Sequence, residues 1–167
     1  VIAALTLNIF NQNADKIIMA NIAQTINVLQ SVILTDGPKI ILTPTFFVYE
    51  LYAPHQEGMS YPVDHYGDDI EPLSIPRLHV SCSQKEDIIT ISIVNTHVSE
   101  SLVIEIPQLD SPDYKPVSWK CIKGDAIQAH NTFEDPNRVR INDLKAENQT
   151  SFEISPASVN VLQFQKT

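Results

Sequence analysis

The chain has 167 residues, enough for one domain or for a small domain joined to part of another. Hydrophobic residues make up 43% of it, which argues against global disorder, and its longest apolar stretches are too short to span a membrane. The formal net charge of −9 argues against nucleic acid and anionic membranes as partners, because both are bound by clustered Lys and Arg.

The first sixty residues are patterned as helices and buried strands. Ile2, Leu5 and Ile9 share one face of a predicted helix, which stops at the polar residues 11–15. This helix has no cap, initiator Met or basic leader before it, so we expect the protein to extend further upstream. Residues 16–23 are apolar on both faces, which predicts a fully buried parallel strand, with a buried helix as the alternative.

A hairpin and a second helix are predicted next. Asp36-Gly37 lies between two apolar runs, a pattern typical of a β-hairpin. Thr43 and Pro44 suit the N-cap and the first position of a helix, because proline lacks the N–H that this position leaves unpaired. Pro54 disfavours helical geometry at the residue before it, so the helix is predicted to end there or within a turn.

After residue 58 the hydrophobic pattern of the chain changes. Residues 59–77 are rich in Pro, Asp and Tyr and show no hydrophobic period, which predicts a linker. Short alternating segments follow, separated by polar turns: Leu78–Cys82, Ile88–Val94, Leu102–Ile106, Val117–Ile122, Val139–Ile141, Phe152–Ile154 and Val159–Phe164. Seven strands at this spacing predict an antiparallel β-sandwich over residues 78–167.

Motifs that carry chemistry are few. The four glycines form no phosphate-binding loop, and the five histidines lack the spacing of a zinc site, so no cofactor and no metal is predicted. Residues 58–62 begin like a nucleophile elbow but lack its closing glycine. The acidic residues within 68–71 and at 134–135 lie in predicted loops, where carboxylates are usually solvated. Cys82 and Cys121 are interpreted as buried free thiols, and a disulfide between them stays an alternative.

Residues 14–30, ADKIIMANIAQTINVLQ, resemble the end of the catalytic barrel of family 51 glycoside hydrolases, the α-L-arabinofuranosidases. Six further segments resemble the same family: 33–37, 42–45, 48–52, 55–56, 129–136 and 158–162. The resemblance implies an α/β (β/α)8 TIM barrel followed by an all-β sandwich. Residues 1–58 would then be the C-terminal segment of the barrel, its last helices and strand eight, with 59–77 as linker and 78–167 as the sandwich domain. A barrel needs roughly 250 residues, so most of it would lie upstream.

The resemblance also implies a function. The family removes terminal non-reducing α-L-arabinofuranosyl residues from arabinan and arabinoxylan oligosaccharides by a retaining mechanism, without a cofactor. Its acid/base and nucleophile glutamates would lie upstream, so no catalytic residue is expected in this chain, and the fragment alone is expected to be inactive. The family further implies a homo-oligomer for the whole protein. The small number of cysteines favours a cytoplasmic location, with a secreted or periplasmic one as the alternative.

Gln24 is the candidate substrate ligand that the resemblance implies. It follows the predicted strand eight at the C-terminal face of the barrel, where active sites are built, and its amide offers a sugar hydroxyl both donor and acceptor. Asn27 is a second candidate. The expected partners are therefore arabinose-containing oligosaccharides and the remainder of the catalytic barrel.

Two other classes of function remain. A carbohydrate-binding β-module would need a platform of exposed aromatic side chains, whereas the single Trp119 is expected in the sandwich core. A stand-alone interaction protein would have to cover the apolar faces of the barrel-like segment by itself.

Overall fold

Two α-helices and twelve strands form within residues 1–22, 25–64, 69–70, 75–146 and 151–167, which this computed structural model describes. The helices are α1 (Ile2–Gln12) and α2 (Pro44–Tyr52), and a short 3-10 turn follows α2. The strands are β1 (Ile33–Asp36), β2 (Lys39–Leu42), β3 (Met59–Tyr61), β4 (Asp69–Ile70), β5 (Ile75–Pro76), β6 (Leu78–Lys85), β7 (Ile88–Asn95), β8 (Leu102–Glu105), β9 (Tyr114–Ile122), β10 (Ile141–Leu144), β11 (Ser151–Ile154) and β12 (Ser158–Lys166).

A six-stranded antiparallel sheet is the central layer of the fold, with the order β10-β9-β12-β7-β6-β3. The long strand β12 lies inside it, paired with β7 on one side and β9 on the other. Successive side chains of β12 point to opposite faces, so Leu162 and Phe164 enter one core while Val159 and Val161 enter a second. Both faces of this sheet are therefore covered.

The β-sandwich core lies between the six-stranded sheet and the pair β8–β11. Its centre is Phe152 on β11, which is 1% exposed. The Phe152 ring makes edge-to-face contacts with Trp119 and Phe164, at centroid distances of 5.4 and 6.0 Å. A two-stranded pair is marginal alone in water, so this apolar contact holds β8–β11 in place.

The two helices cover the other face of the sheet. Ala4 of α1 and Val48 and Leu51 of α2 are at most 3% exposed and pack with Val94 and Val159 of the sheet. The fold thus has three layers: the β8–β11 pair, the six-stranded sheet and the helices. Among the described residues, neither helix has the length and apolar character needed to cross a membrane.

The predicted β-sandwich is confirmed, and each of the seven predicted strands overlaps one of β6 to β12. The hairpin is confirmed as β1–β2, with Gly37 in its two-residue turn at a φ of +56°, a value that suits glycine. The second helix begins after Thr43, its N-cap residue, and has Pro44 in its first turn.

Two details of the first segment are corrected. The strand predicted for residues 16–23 does not form over its described part, since 17–22 are neither helix nor strand and Ile18 is fully exposed, at 100%. Of the apolar face predicted for α1, Leu5 packs against the core, but Ile2 and Ile9 are 81 and 47% exposed, whereas Asn8 is completely buried. Hydropathy alone could not identify this face, because Asn8 is buried only where the sheet supplies hydrogen-bond partners.

The interval predicted as a linker contains paired strands. Within it, β3 joins the edge of the six-stranded sheet beside β6, and β4 pairs with β5. The division into 1–58, 59–77 and 78–167 stays a prediction. The helices of the first segment share a core with the sheet of the last one.

Candidate functional site

Of the two predicted sugar ligands, Gln24 lies outside the described residues, and Asn27 lies in the turn that leads into β1. The backbone of Asn27 has a φ of +54°, a conformation that asparagine tolerates better than most residues. Its Oδ1 accepts from the Thr35 N–H at 2.7 Å, and its Nδ2 donates to Thr35 Oγ1 at 2.8 Å. The Asn27 amide therefore braces β1, and its role as a sugar ligand stays a prediction.

The end of β2 is held by the β9–β10 loop, residues 123–140. Asn131 on this loop is 4% exposed and donates from Nδ2 to the Leu42 carbonyl at 2.8 Å. The same amide donates to the Val139 carbonyl and accepts from the Val139 N–H. Sequence reasoning placed Asn131 in a turn of the β-domain and missed this bond, which joins residues 89 positions apart.

Apolar side chains beside the predicted ligand positions are exposed. In the segment 17–30, Ile18, Met19, Ile26 and Leu29 are 100, 76, 52 and 94% exposed. We call these four residues the apolar rim. Isolated exposed apolar residues are ordinary, but several within one short segment indicate a surface that another part of a protein covers.

A cluster of hydroxyl groups surrounds the Asn8 amide between α1 and the sheet. Oδ1 of Asn8 accepts from the Tyr52 hydroxyl at 2.8 Å, from Ser81 Oγ at 2.9 Å and from Ser92 Oγ. Nδ2 of Asn8 donates to the His79 carbonyl at 3.1 Å. Burial raises the pKa of the Tyr52 phenol well above its ordinary value, so the phenol stays a neutral donor. These buried hydroxyls set the position of α1 on the sheet.

His55 and Ser83 form the most enzyme-like pair of side chains in the described part of the chain. The His55 Nδ1 lies 2.8 Å from Ser83 Oγ, and the imidazole packs against the Tyr52 ring. A nucleophilic serine needs access to substrate and a base oriented by a third group. Ser83 is only 3% exposed, and the His55 Nε2 is buried without a hydrogen-bond partner among the described residues. His55 is thus a packing residue.

Acidification through the window below pH 6.5 should destabilise the chain because of His55. Burial lowers the pKa of this imidazole from 6.5 to about 4. In this range the unfolded state therefore binds a proton at His55 that the folded state does not bind. The free energy of unfolding falls by about 1.5 kcal/mol between pH 6.5 and about pH 5. Urea unfolding at several pH values measures this loss.

Two variants separate His55 from other titrating groups. His55→Asn should show a shallower loss of stability with falling pH, because asparagine can bond to Ser83 without titrating. His130→Asn changes an exposed histidine and is the matched control. Equal slopes in both variants would contradict the assignment.

Glu57 and Asp125, two carboxylates of the described residues, form ion pairs with Lys85 and Arg138. The hydrogen bond from Lys85 lowers the pKa of Glu57, and the hydrogen bond from Arg138 lowers the pKa of Asp125. A general acid needs the opposite shift. Residues 134–135 are exposed in the β9–β10 loop, as predicted, whereas Asp69, also predicted in a loop, lies in β4; positions 68 and 71 lie outside the described residues. In the parts of the chain that are described, no three His, Cys, Asp or Glu side chains group as metal ligands.

Cys82 and Cys121 are both free. They lie on β6 and β9, which are three strand spacings apart in the sheet, or about 14 Å. A disulfide needs Cα atoms closer than about 7 Å, so the two thiols cannot pair within the folded chain. The interpretation as free thiols is confirmed, although Cys82 is only partly buried.

Both thiols should react slowly with a disulfide reagent. Burial raises the pKa of each from 9.0 to about 11, which reduces the thiolate fraction near neutral pH by about a hundredfold. In urea, both should react at the rate of a free cysteine. A colorimetric thiol assay measures the two rates, and fast reaction of the folded chain would refute the expectation.

No aromatic platform for sugar binding forms on the described surface. Trp119 is 7% exposed, and its indole N–H donates to Asn160 Oδ1 at 3.0 Å, so its predicted place in the core is confirmed. Tyr61 is the only well-exposed aromatic side chain in the described residues, at 42%. A flat binding surface needs several such rings, so nothing here favours a separate carbohydrate-binding module.

Known proteins match this chain along nearly all of its length. Residues 1–158 match the family described as alpha-L-arabinofuranosidase C-terminal domain. An intracellular exo-alpha-L-arabinofuranosidase from Bacteroides ovatus is 33% identical over 143 residues, which cover 83% of this chain and 28% of that protein.

Solved structures match it as well. The GH51 arabinofuranosidase from Xanthomonas axonopodis pv. citri superposes with a TM-score of 0.84 at 32% identity, covering 98% of this chain and 34% of that one. The arabinose complex of alpha-L-arabinofuranosidase from Thermotoga maritima gives a TM-score of 0.75 at 26% identity, covering 96% of this chain and 36% of that one. The chain thus spans about a third of the length of these relatives.

Proposed function

Because the chain belongs to the alpha-L-arabinofuranosidase C-terminal domain family, we propose that the whole protein hydrolyses terminal non-reducing α-L-arabinofuranosyl residues of arabinan and arabinoxylan oligosaccharides. The reaction would be retaining. It would use two glutamates about 5 Å apart, one as nucleophile and one as acid/base. Both would belong to the part of the enzyme upstream of this chain.

One observation carries this proposal: the superposition on a GH51 arabinofuranosidase covers 98% of the chain, so it includes both the helices and the β-sandwich. A likeness of the sandwich alone would indicate little, because sandwiches serve many unrelated functions. Here the helices occur together with the sheet that they cover, in the arrangement found in that enzyme.

We further propose that residues 1–58 are the last part of a (β/α)8 barrel. The apolar rim supports this, since Ile18 and Leu29 are almost completely exposed. Burying such side chains is worth about 1.5–3 kcal/mol each, and the preceding strands and helices of a barrel would supply the contacts. The partner of the apolar rim would therefore be an earlier part of the same polypeptide.

In this arrangement, the chain contributes binding and support. Gln24 would hydrogen-bond a hydroxyl of the arabinose ring, with Asn27 bracing the same turn through Thr35. The β-sandwich would have a structural role, holding α1 and α2 against its sheet. Catalytic groups would come from the remainder of the barrel, and no cofactor would take part.

We expect the full-length protein to release 4-nitrophenol from 4-nitrophenyl α-L-arabinofuranoside, and the 167-residue chain alone to show no turnover above background. In the full-length protein, Gln24→Ala should raise KM about tenfold, the effect of one lost substrate hydrogen bond. Gln30→Ala is the matched control and should change KM less than about twofold. Turnover by the isolated chain, or none by the full-length protein, would refute the proposal.

For the cell compartment, we propose the cytoplasm. The Bacteroides ovatus relative is named as intracellular, and two thiols that cannot pair with each other suit a reducing environment. Fractionation of the source cells, with an antibody against this chain, tests the location. A homo-oligomeric full-length enzyme is likewise proposed, and light scattering would measure its mass.

A further inference from the structure

We propose that Asn131 is a positioning residue for substrate binding: through the β1–β2 hairpin, it holds the turn at residues 25–27 in place. This inference rests on the proposed function, because residue 25 directly follows the predicted sugar ligand Gln24. It gives the β-sandwich a part in binding the sugar, beyond supporting the helices.

The first step is the Asn131 amide itself. Both hydrogens of its Nδ2 are used, on the carbonyls of Leu42 and Val139 at 2.8 and 2.9 Å. Its Oδ1 accepts from the Val139 N–H at 2.7 Å. Because the group is buried, losing it leaves polar backbone atoms without partners, and the structure must move to satisfy them. The amide thus fixes the end of β2 relative to the β9–β10 loop.

The β1–β2 hairpin connects the end of β2 to the turn at residues 25–27. The Leu42 carbonyl shares a peptide unit with the Thr43 N–H, which donates to the Val32 carbonyl at 3.0 Å, and the Val32 carbonyl shares a peptide unit with the Ile33 N–H. The N–H of Ile33 donates to the Thr25 carbonyl at 3.1 Å, and the Ile33 carbonyl accepts from the Asn27 N–H at 3.1 Å. Thr35, two residues further along β1, holds both polar atoms of the Asn27 side chain. Hydrogen bonds therefore run without a gap from Asn131 to Thr25.

A second feature of the loop supplies the matched control. Arg138 forms a two-pronged ion pair with Asp125, at 3.0 and 3.1 Å, and the two side chains are 39 and 65% exposed. This pair closes the same loop as Asn131 but makes no bond to the hairpin. Its removal should loosen the loop and leave residues 25–27 where they are.

The test uses the full-length enzyme. Asn131→Ala should raise KM for 4-nitrophenyl α-L-arabinofuranoside about tenfold while kcat changes less than about threefold, because binding groups move and the catalytic glutamates do not. Arg138→Ala should leave both constants within about twofold. Thr35→Val removes the Oγ1 acceptor of the Asn27 amide without touching the loop, and should shift KM in the same direction as Asn131→Ala.

Hydrogen exchange measured by mass spectrometry gives a readout that does not depend on activity. Amides of residues 25–36 should exchange faster in Asn131→Ala than in the parent protein. In Arg138→Ala, their exchange rates should equal those of the parent. A lower melting temperature with unchanged KM and unchanged exchange at 25–36 would overturn the inference and leave Asn131 a purely structural residue. If Asn131→Ala does not fold, Thr35→Val decides by the same measurements. If the parent protein lacks arabinofuranosidase activity, the proposed function fails, while exchange still tests the relay.

Discussion

Phe152→Ala should reduce the free energy of unfolding by about 4 kcal/mol, through lost apolar burial and the cavity left behind. Phe152 is 1% exposed and lies between the rings of Trp119 and Phe164. It also belongs to β11, for which β8 is the one hydrogen-bonded neighbour among the described residues. We therefore expect the β8–β11 pair to detach from the sheet more often in the variant than in the parent chain. Equilibrium unfolding in urea, followed by circular dichroism, measures the change in stability.

Phe133→Ala is the matched control for this substitution. Phe133 lies on the β9–β10 loop and is only partly buried. Its truncation should cost about 1 kcal/mol. Trp119 fluorescence gives a second measurement, since loss of the Phe152 ring exposes the indole to water and shifts its emission to longer wavelength. Equal losses of stability in the two variants would show that β8–β11 is not held by the core described above.

Asn8→Ala should reduce the free energy of unfolding by about 3 kcal/mol, although it removes a polar residue from a helix. Alanine favours helix formation, so a local view predicts a gain in stability. The tertiary contacts predict the opposite, because Oδ1 of Asn8 accepts from three buried hydroxyls and its Nδ2 donates to a backbone carbonyl. Without the amide, these groups stay buried with fewer partners.

The control for Asn8→Ala lies just after the end of the same helix. Asn13 follows α1, is only partly buried, and donates from its amide to the Ile9 carbonyl. Asn13→Ala should change stability by less than about 0.5 kcal/mol. Urea unfolding of both variants at neutral pH measures the difference. A loss below about 1 kcal/mol for Asn8→Ala would mean that the cluster contributes little net stability, as buried polar groups sometimes do.

The Asn8 cluster also bears on how the two proposed domains stay aligned. Apolar contacts between α1 and the sheet are non-directional, and would allow the helix to slide. Amide groups add direction, since Asn8 and Gln12 donate to the carbonyls of His79 and Val80 on β6. If α1 is the end of a barrel, these bonds hold the barrel in one orientation on the sandwich.

Local sequence signals were sufficient where the deciding interaction is local. Alternating apolar residues predicted the strands β6 to β12, and the glycine at 37 predicted the hairpin turn. Thr43 and Pro44 predicted the beginning of α2. The family resemblance predicted the β-sandwich and the relatives that match the chain. It also supplied Gln24, which remains a prediction.

Tertiary structure decided what depends on distant partners. The sequence by itself determined where strands, turns and one helix begin, because those choices depend on backbone preferences within a few residues. It could not determine that Asn8 is the residue of α1 that faces the sheet, or that Asn131 bonds to the end of the hairpin. The partners of these two side chains lie 71 and 89 residues away in the sequence. The distance between the two cysteines is likewise set by the tertiary structure, because the strand order places them too far apart to form a disulfide. A buried polar side chain is stable only where the fold brings hydrogen-bond partners to it. The local hydropathy pattern does not identify those partners, because they are distant in the sequence.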